Sequence, residues 1–248
     1  MTFDQSDFDV RCEWGENGVR QLAPVSDVVI IVDVLSFSTC VEIANSRSAI
    51  VFPFRWKDES AAAFAASVNA ELAGVRRADG IYSLSPASLI DISAGTRLAL
   101  PSPNGSTLSL LSGATPTLTA CLRNCRAVAI AAARYGRRIA VIPSGERWND
   151  GSLRPSLEDW VGAGAIISHL EGNLSPEARA ALSAYLNVKS DLRHALKQCG
   201  SGLELIERGF ERDVEIASEL DISECAPTLM DGAYINGFGH VSQEADSG

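Results

Sequence analysis

Apolar residues run unbroken through Val28-Val29-Ile30-Ile31-Val32 and stop at a single acid, Asp33. A run of this kind between polar neighbours predicts a strand covered on both faces, as in a parallel sheet. Behind it, the hydroxyl of Ser38 or Thr39 can cap a helix over residues 39–45. Upstream, residues 7–14 alternate apolar and polar and predict a strand closed by a turn at 15–18. Residues 49–54 predict a second buried strand, and the Ala-rich stretch 57–72 a helix. Strand, helix, strand, helix is the order of right-handed βαβ units.

The same alternation continues. Strands are expected at 97–100, 117–122 and 138–142, and helices at 108–111 and from Asn124 to Arg134. Ser156 reads as the N-cap of a helix reaching 170, with Asp159 at the capping-box position in place of the usual Glu or Gln. Residues 175–220 are helical in pattern, with breaks at 190, 200–202 and 209. Residues 227–235 return as a last strand, and the polar, Gly-rich tail from 237 is expected to fray. The expected fold is therefore α/β: a mostly parallel central sheet flanked by helices, with a helical C-terminal portion. It occupies one domain over 1–236, whose helical part is 170–220.

Composition narrows the partners. A chain of 248 residues, 46% hydrophobic and 21% charged, can bury a sizeable core. Its net charge of -10 carries no compensating basic stripe, which argues against nucleic acid or an acidic membrane. No apolar run nears the ~20 residues of a membrane span, and the acidic N-terminus lacks the parts of a signal peptide. A cytoplasmic protein is expected, with a two-fold homodimer as the default assembly. Cys12, Cys40, Cys121, Cys125, Cys199 and Cys225 then read as reduced thiols. Cys121-x3-Cys125 lacks a second pair, and His169, His194 and His240 are scattered, so no structural zinc site is expected.

Candidate chemistry gathers at the ends of predicted strands. Asp33 is followed by Ser36, Ser38 and Thr39. The next ends carry Ser102, Asn104, Gly105, Ser106 and Thr107, then Arg123 and Asn124, then Ser144, Gly145, Glu146 and Arg147. In a parallel sheet such ends converge on one rim, where helix N-termini receive anions. An acid beside an anion cradle calls for a divalent cation between them, so the vocabulary describes a phosphate-plus-Mg²⁺ site. The P-loop, dinucleotide fingerprint, Cys-x5-Arg, Asp-x-Asp and Gly-x-Ser-x-Gly patterns are all absent.

Five ordered motifs carry a resemblance. They are Val32-Asp33-Val34-Leu35-x-x-Ser38-Thr39, Ser102-Pro103-Asn104-Gly105-Ser106 and Cys121-Leu122-Arg123-Asn124. Then come Leu157-Glu158-Asp159 with Ala163-Gly164-Ala165, and Gly202-x-Glu204-Leu205 through Gly209-Phe210-x-x-Asp213-Val214 to Pro227. Together they resemble the Mg²⁺-dependent 2-phosphosulfolactate phosphatases over nearly the whole chain. The resemblance implies hydrolysis of the phosphate ester of a small 2-hydroxy acid on an α/β fold. It implies Asp33, Glu158 and Asp159 as metal or acid/base residues, with Arg123 at the catalytic centre. Around the anionic substrate it implies Ser38, Thr39, Asn104, Gly105, Ser106, Arg123 and Asn124, and Ser36, in the same loop, is a further substrate-binding candidate.

The chain departs from that pattern at one place. The family arginine after Val-Leu is replaced here by Ser36-Phe37, which removes a charge-assisted contact of ~1.5–3 kcal/mol. Arg123 and Arg147 are the candidates to replace it. The attacking group stays open between an activated water and a covalent route through Asp33 or Cys121. Two rival functions stay open too: a non-catalytic binder of small anions, and a lyase acting on a sulfonated or phosphorylated hydroxy acid.

Overall fold

The computed structural model describes residues 2–55, 59–74 and 82–237. Lys57 and Asp58 of the expected helix and the tail beyond Gly237 lie outside the described residues. The strands are β1 (Val10–Cys12), β2 (Val28–Val32), β3 (Ile50–Phe54), β4 (Glu71–Leu72), β5 (Arg97–Pro101), β6 (Thr117–Ala120), β7 (Ile139–Pro143), β8 (Glu146–Arg147), β9 (Leu153–Arg154), β10 (Pro227–Met230) and β11 (Ala233–Asn236). The α-helices are α1 (Gly15–Leu22), α2 (Phe37–Ser46), α3 (Ser60–Ser67), α4 (Pro86–Leu89), α5 (Gly105–Leu111), α6 (Cys125–Ala132), α7 (Leu157–Ile167), α8 (Pro176–Val188), α9 (Leu192–Gln198), α10 (Gly200–Glu207) and α11 (Glu211–Ala217). None of the described helices is long and apolar enough to cross a membrane.

Nine strands make one sheet in the order β1-β7-β2-β6-β10-β11-β3-β5-β4. The sheet is mostly parallel and helix-flanked, as expected, but it is built from two parallel runs. β1-β7-β2-β6 is one and β3-β5-β4 the other. The C-terminal hairpin β10–β11 pairs antiparallel with β6 on one side and with β3 on the other. Residues 227–235 are thus two strands, not one. They turn at Asp231-Gly232, where both residues have positive φ, 50° and 80°, the backbone that an Asp-Gly hairpin turn supplies.

β2 is apolar throughout because both its faces are covered. Val28, Ile30 and Val32 pack with α6, α7 and α8 residues such as Val128, Val161 and Tyr185. Val29 and Ile31 face Val19, Leu22 and Leu108 of α1 and α5. α1 occupies the stretch expected to be only a turn. Its Val19 and Leu22 have a core face to bury, and that tertiary contact outweighs the turn-forming Gly-Glu-Asn-Gly. A third cluster joins Phe37, Val41 and Ala44 of α2 to Val51, Leu98, Leu100 and Tyr234. The C-terminal stretch is helical as expected, with breaks after Val188 and around Gly209. The expected break at 200–202 falls at Cys199, between α9 and α10, and Gly200 and Gly202 lie in the first turn of α10.

The helical cap is tied to the sheet by a buried ion pair. Arg123, in a short 3-10 turn after β6, donates from Nε to Glu42 Oε2 of α2 at 2.5 Å. The same guanidinium reaches Glu219 beyond α11 and the Ile216 carbonyl. Glu42 is fully buried. Removing its partner would strand a charge in the core, a loss usually worth about 3–5 kcal/mol. Arg123→Met is expected to lower the unfolding free energy, measured by denaturant titration, by that amount. Adding Glu42→Gln should recover part of it, and a double-mutant cycle of folding free energies measures the coupling.

Candidate active site

The end of β2 is shaped by its acid. Asp33 Oδ1 accepts the Phe37 N–H at 3.1 Å, opening α2, and Oδ2 accepts the Gly105 N–H at 2.8 Å, opening α5. A Cβ on Gly105 would lie 2.8 Å from Asp33 Oδ2 and 2.2 Å from the Phe37 ring, so this approach needs glycine. β5 belongs to the run whose ladder opposes that of β2, yet its end meets that of β2. Five strand steps separate them, and at roughly 20–25° of twist each they turn β5 by more than a right angle. Convergence on the rim therefore holds for this loop through twist, not through a wholly parallel sheet.

A second acid performs the same task from α7. Asp159 Oδ1 accepts the Val34 N–H and Oδ2 the Gly145 N–H, both at 2.8 Å. Ser156 Oγ donates to Asp159 Oδ2 at 2.9 Å. The expected capping box is not formed: the Ser156 side chain makes no cap bond to α7, because Asp159 faces the loops. Beside it Glu158 is buried, and its Oε2 has no protein partner. Glu146, in β8, accepts the Asn104 Nδ2 at 2.9 Å.

Burial and the charges of neighbouring carboxyls raise the proton affinity of Glu146 and of Asp159. Burial pushes Glu146 up to about 7, helped by the charge of Asp33 and opposed by the Asn104 bond. Burial, then Asp33 and Glu158, holds Asp159 well above the usual carboxylate range. All the donors are oxygens, the set that suits Mg²⁺. With the buried Glu158 Oε2 lacking a partner, the residues present fit such an ion.

The acids sit at a cleft of about 230 Å³ lined by Asp33, Ser36, Ser102, Asn104, Glu146 and Arg208, among others. Of the residues singled out in the sequence, the structure brings Asp33, Ser36, Ser102, Asn104, Gly105, Glu146, Glu158 and Asp159 to this region. The others serve the scaffold. Ser38 Oγ bonds Thr119 at 2.6 Å, Thr39 Oγ1 donates to the Val34 carbonyl, and Ser106 Oγ to the Leu100 carbonyl. Asn124 accepts the Cys121 N–H and donates to the Cys225 carbonyl.

Arg123 faces Glu42 and Glu219, and Arg147 reaches Glu16. Neither lines the cleft. Cys121 does not line it either, and burial pushes its thiol up to about 12, which leaves it unsuited to attack. Arg208, Ser83, Ser85 and Ser201 line the cleft without having been named, and Glu146, named among the strand-end loops, had been given no role. Glu146 stood in a strand-end loop beside Gly145, the same signal that marked Asp33, and Arg208 had none.

The sequence profile of a family described as 2-phosphosulpholactate phosphatase matches residues 17–232. A 2-phosphosulfolactate phosphatase of Methanothermobacter thermautotrophicus is 28% identical over 209 residues, 84% of this chain and 88% of that protein. Probable 2-phosphosulfolactate phosphatases of Thermotoga petrophila and Gloeobacter violaceus are 37% and 34% identical over 83 and 140 residues. Those matches cover 33% and 54% of this chain, and this chain spans only 37% and 56% of those two relatives.

A carboxyl that titrates higher when folded keeps a proton the unfolded chain has already lost. Stability therefore falls as pH rises from the ordinary Glu value of 4.5 to about 7. In chelator, the thermal midpoint is expected to decline from about pH 5 to pH 8. Glu146→Gln should flatten this decline and be the more stable protein at the alkaline end. An equally steep decline in that variant would remove Glu146 as its source.

Proposed function

The chain belongs to the 2-phosphosulfolactate phosphatase family, and from that premise we propose that it is a Mg²⁺-dependent phosphatase. Its substrate is the phosphate ester of a small 2-hydroxy acid, with 2-phosphosulfolactate the first candidate. The observation that carries this reading is the buried, unpartnered Glu158 Oε2 set among Asp33, Glu146 and Asp159 beneath the cleft. Asp33 and Glu158 would hold the ion, and Asp159 would keep their two loops in register. When bound, Mg²⁺ supplies charge neutralisation for the phosphoryl oxygens.

The rest falls to the chain's own groups. Ser36 and Ser102 line the cleft, where their hydroxyls can donate to phosphoryl oxygens. Arg208 lines the cleft, paired with Glu204 at 3.0 Å, and would supply a cation for the sulfonate or carboxylate end. Arg123 is engaged by Glu42 and Glu219, and Arg147 lines an adjoining pocket that shares Asn104 and Glu146. Glu146, with affinity for a proton near neutrality, is matched to accept one from the attacking water, and Asn104 orients it. The water oxygen bonds phosphorus, the phosphorus–ester oxygen bond breaks, and a proton ends on the departing alkoxide.

Phosphate release from 2-phosphosulfolactate and a panel of phospho-hydroxy acids, with Mg²⁺ and with chelator, tests the reading. Release is expected with Mg²⁺ alone. Glu146→Gln should lower kcat by about 10²–10⁴-fold, and Asp33→Asn should abolish the Mg²⁺ response. Saturable binding of the panel without phosphate release would make the chain an anion binder instead. Full turnover by Asp33→Asn would remove the metal assignment.

A further inference from the structure

We propose that Cys125, His169 and Asp221 form a second metal site, separate from the cleft and suited to a late divalent transition metal such as Zn²⁺. The three residues are far apart in sequence. Cys125 is the first residue of α6, His169 follows α7, and Asp221 follows α11. The fold brings the Cys125 sulfur, a His169 ring nitrogen and an Asp221 carboxylate oxygen all within 4.8 Å of one another. Cys125 Sγ donates to Asp221 Oδ1 at 3.1 Å, and His169 Nε2 lies 3.1 Å from Asp221 Oδ2. The expectation of no zinc site rested on the scatter of the histidines in sequence, and the fold brings one of them to a cysteine and an aspartate.

Bonds of roughly 2.0–2.3 Å in a tetrahedral zinc site put neighbouring ligand atoms about 3.5 Å apart. Cys125 Sγ and His169 Nε2 each lie 3.1 Å from an Asp221 oxygen, and the third separation is within 4.8 Å, so small side-chain movements suffice to reach that geometry. Thiolate, imidazole and carboxylate together select zinc-like ions, whereas the all-oxygen cleft suits Mg²⁺. None of the three lines the cleft. Binding would release the Cys125 thiol proton to solvent, and thiolate plus carboxylate would then balance the ion's two positive charges.

Asp221 is already held for this role by its own backbone. Its N–H donates to the Leu122 carbonyl, and its Oδ1 accepts the Arg126 N–H at 2.9 Å. The ion would staple the start of α6 and the end of α7 to the segment leading into β10. Three protein ligands leave a fourth, open position for water. The competing reading is that Asp221 merely caps α6 and pairs with His169.

Cobalt(II) separates the two readings, because only a thiolate-bound ion gives a sulfur-to-cobalt charge-transfer band. Chelator-treated full-length protein titrated with Co²⁺ should develop that band at one equivalent. Zn²⁺ should displace it and Mg²⁺ should not. His169→Gln, at a partly exposed position, and Cys125→Ser should each weaken Co²⁺ binding by more than about tenfold and remove the band, while Asp33→Asn retains it. Zn²⁺ should also raise the thermal midpoint of the parent but not of His169→Gln. No band, or a band that survives both variants, would overturn the site and leave Asp221 as a helix cap.

Discussion

Two buried carboxylates accept the main-chain N–H groups on which the cleft is hung. Asp33 takes those of Phe37 and Gly105, and Asp159 those of Val34 and Gly145. The four bonds reach the loops after β2, β5 and β7, and they start α2 and α5. A loop leaving a strand has no ladder partner for its amides, and an unpaired buried N–H costs about 1–3 kcal/mol. Each acid meets that demand for two loops at once, because its side chain offers two acceptor oxygens. The same bonds draw the ends of two oppositely directed parallel runs into one place, which the hairpin β10–β11 and the sheet twist allow.

That solution creates its own strain of charge. Glu146 and Glu158 stand beside the two structural acids, and, on top of burial, the neighbouring negative charges make Glu146 and Asp159 harder to ionise. Protons relieve this at low pH. At neutral pH a divalent cation does so without giving up the N–H bonds, since a carboxylate oxygen has more than one lone-pair direction. Scaffold and site are thus made of the same atoms. The cluster asks for a cation because the loops first asked for anions.

What could be read from the chain followed from local pattern. β2 was legible because five apolar residues in a row have no other use at that length, and Asp33 because an acid at such an end is conspicuous. Asp159 was legible as a residue but not in its role, since its partners Val34 and Gly145 are set by the fold rather than by the helix it begins. Arg123 was misplaced for the same reason. Its partners Glu42 and Glu219 lie 81 and 96 residues away in sequence, and no spacing rule connects them. The strand order was equally out of reach, because β1 beside β7 and a hairpin between two parallel runs are long-range pairings. Asp231-Gly232, by contrast, was a hairpin turn in plain sight, hidden by reading the apolar residues on both sides as one strand.

The substitution at position 36 is understood best from its neighbour. Phe37 opens α2 with its N–H on Asp33, and its ring lies against Gly105 and edge-on to Tyr234, centroids 6.1 Å apart. The ring is fully buried in the core beside β3, β5 and β11 and so anchors the start of α2, which Asp33 holds. Ser36, just before it, presents only a hydroxyl to the cleft, and the guanidinium that lines the same space comes from Arg208, past the end of α10. On the proposed reading the cation has moved from the strand end that holds the acids to the helical cap opposite them. A cation on the cap sits farther from the carboxylates, so it competes less with a metal ion for their charge. It also meets the ligand on the side away from the phosphate. Its charge would then discriminate among the acid groups of the substrate more than it would assist phosphoryl transfer.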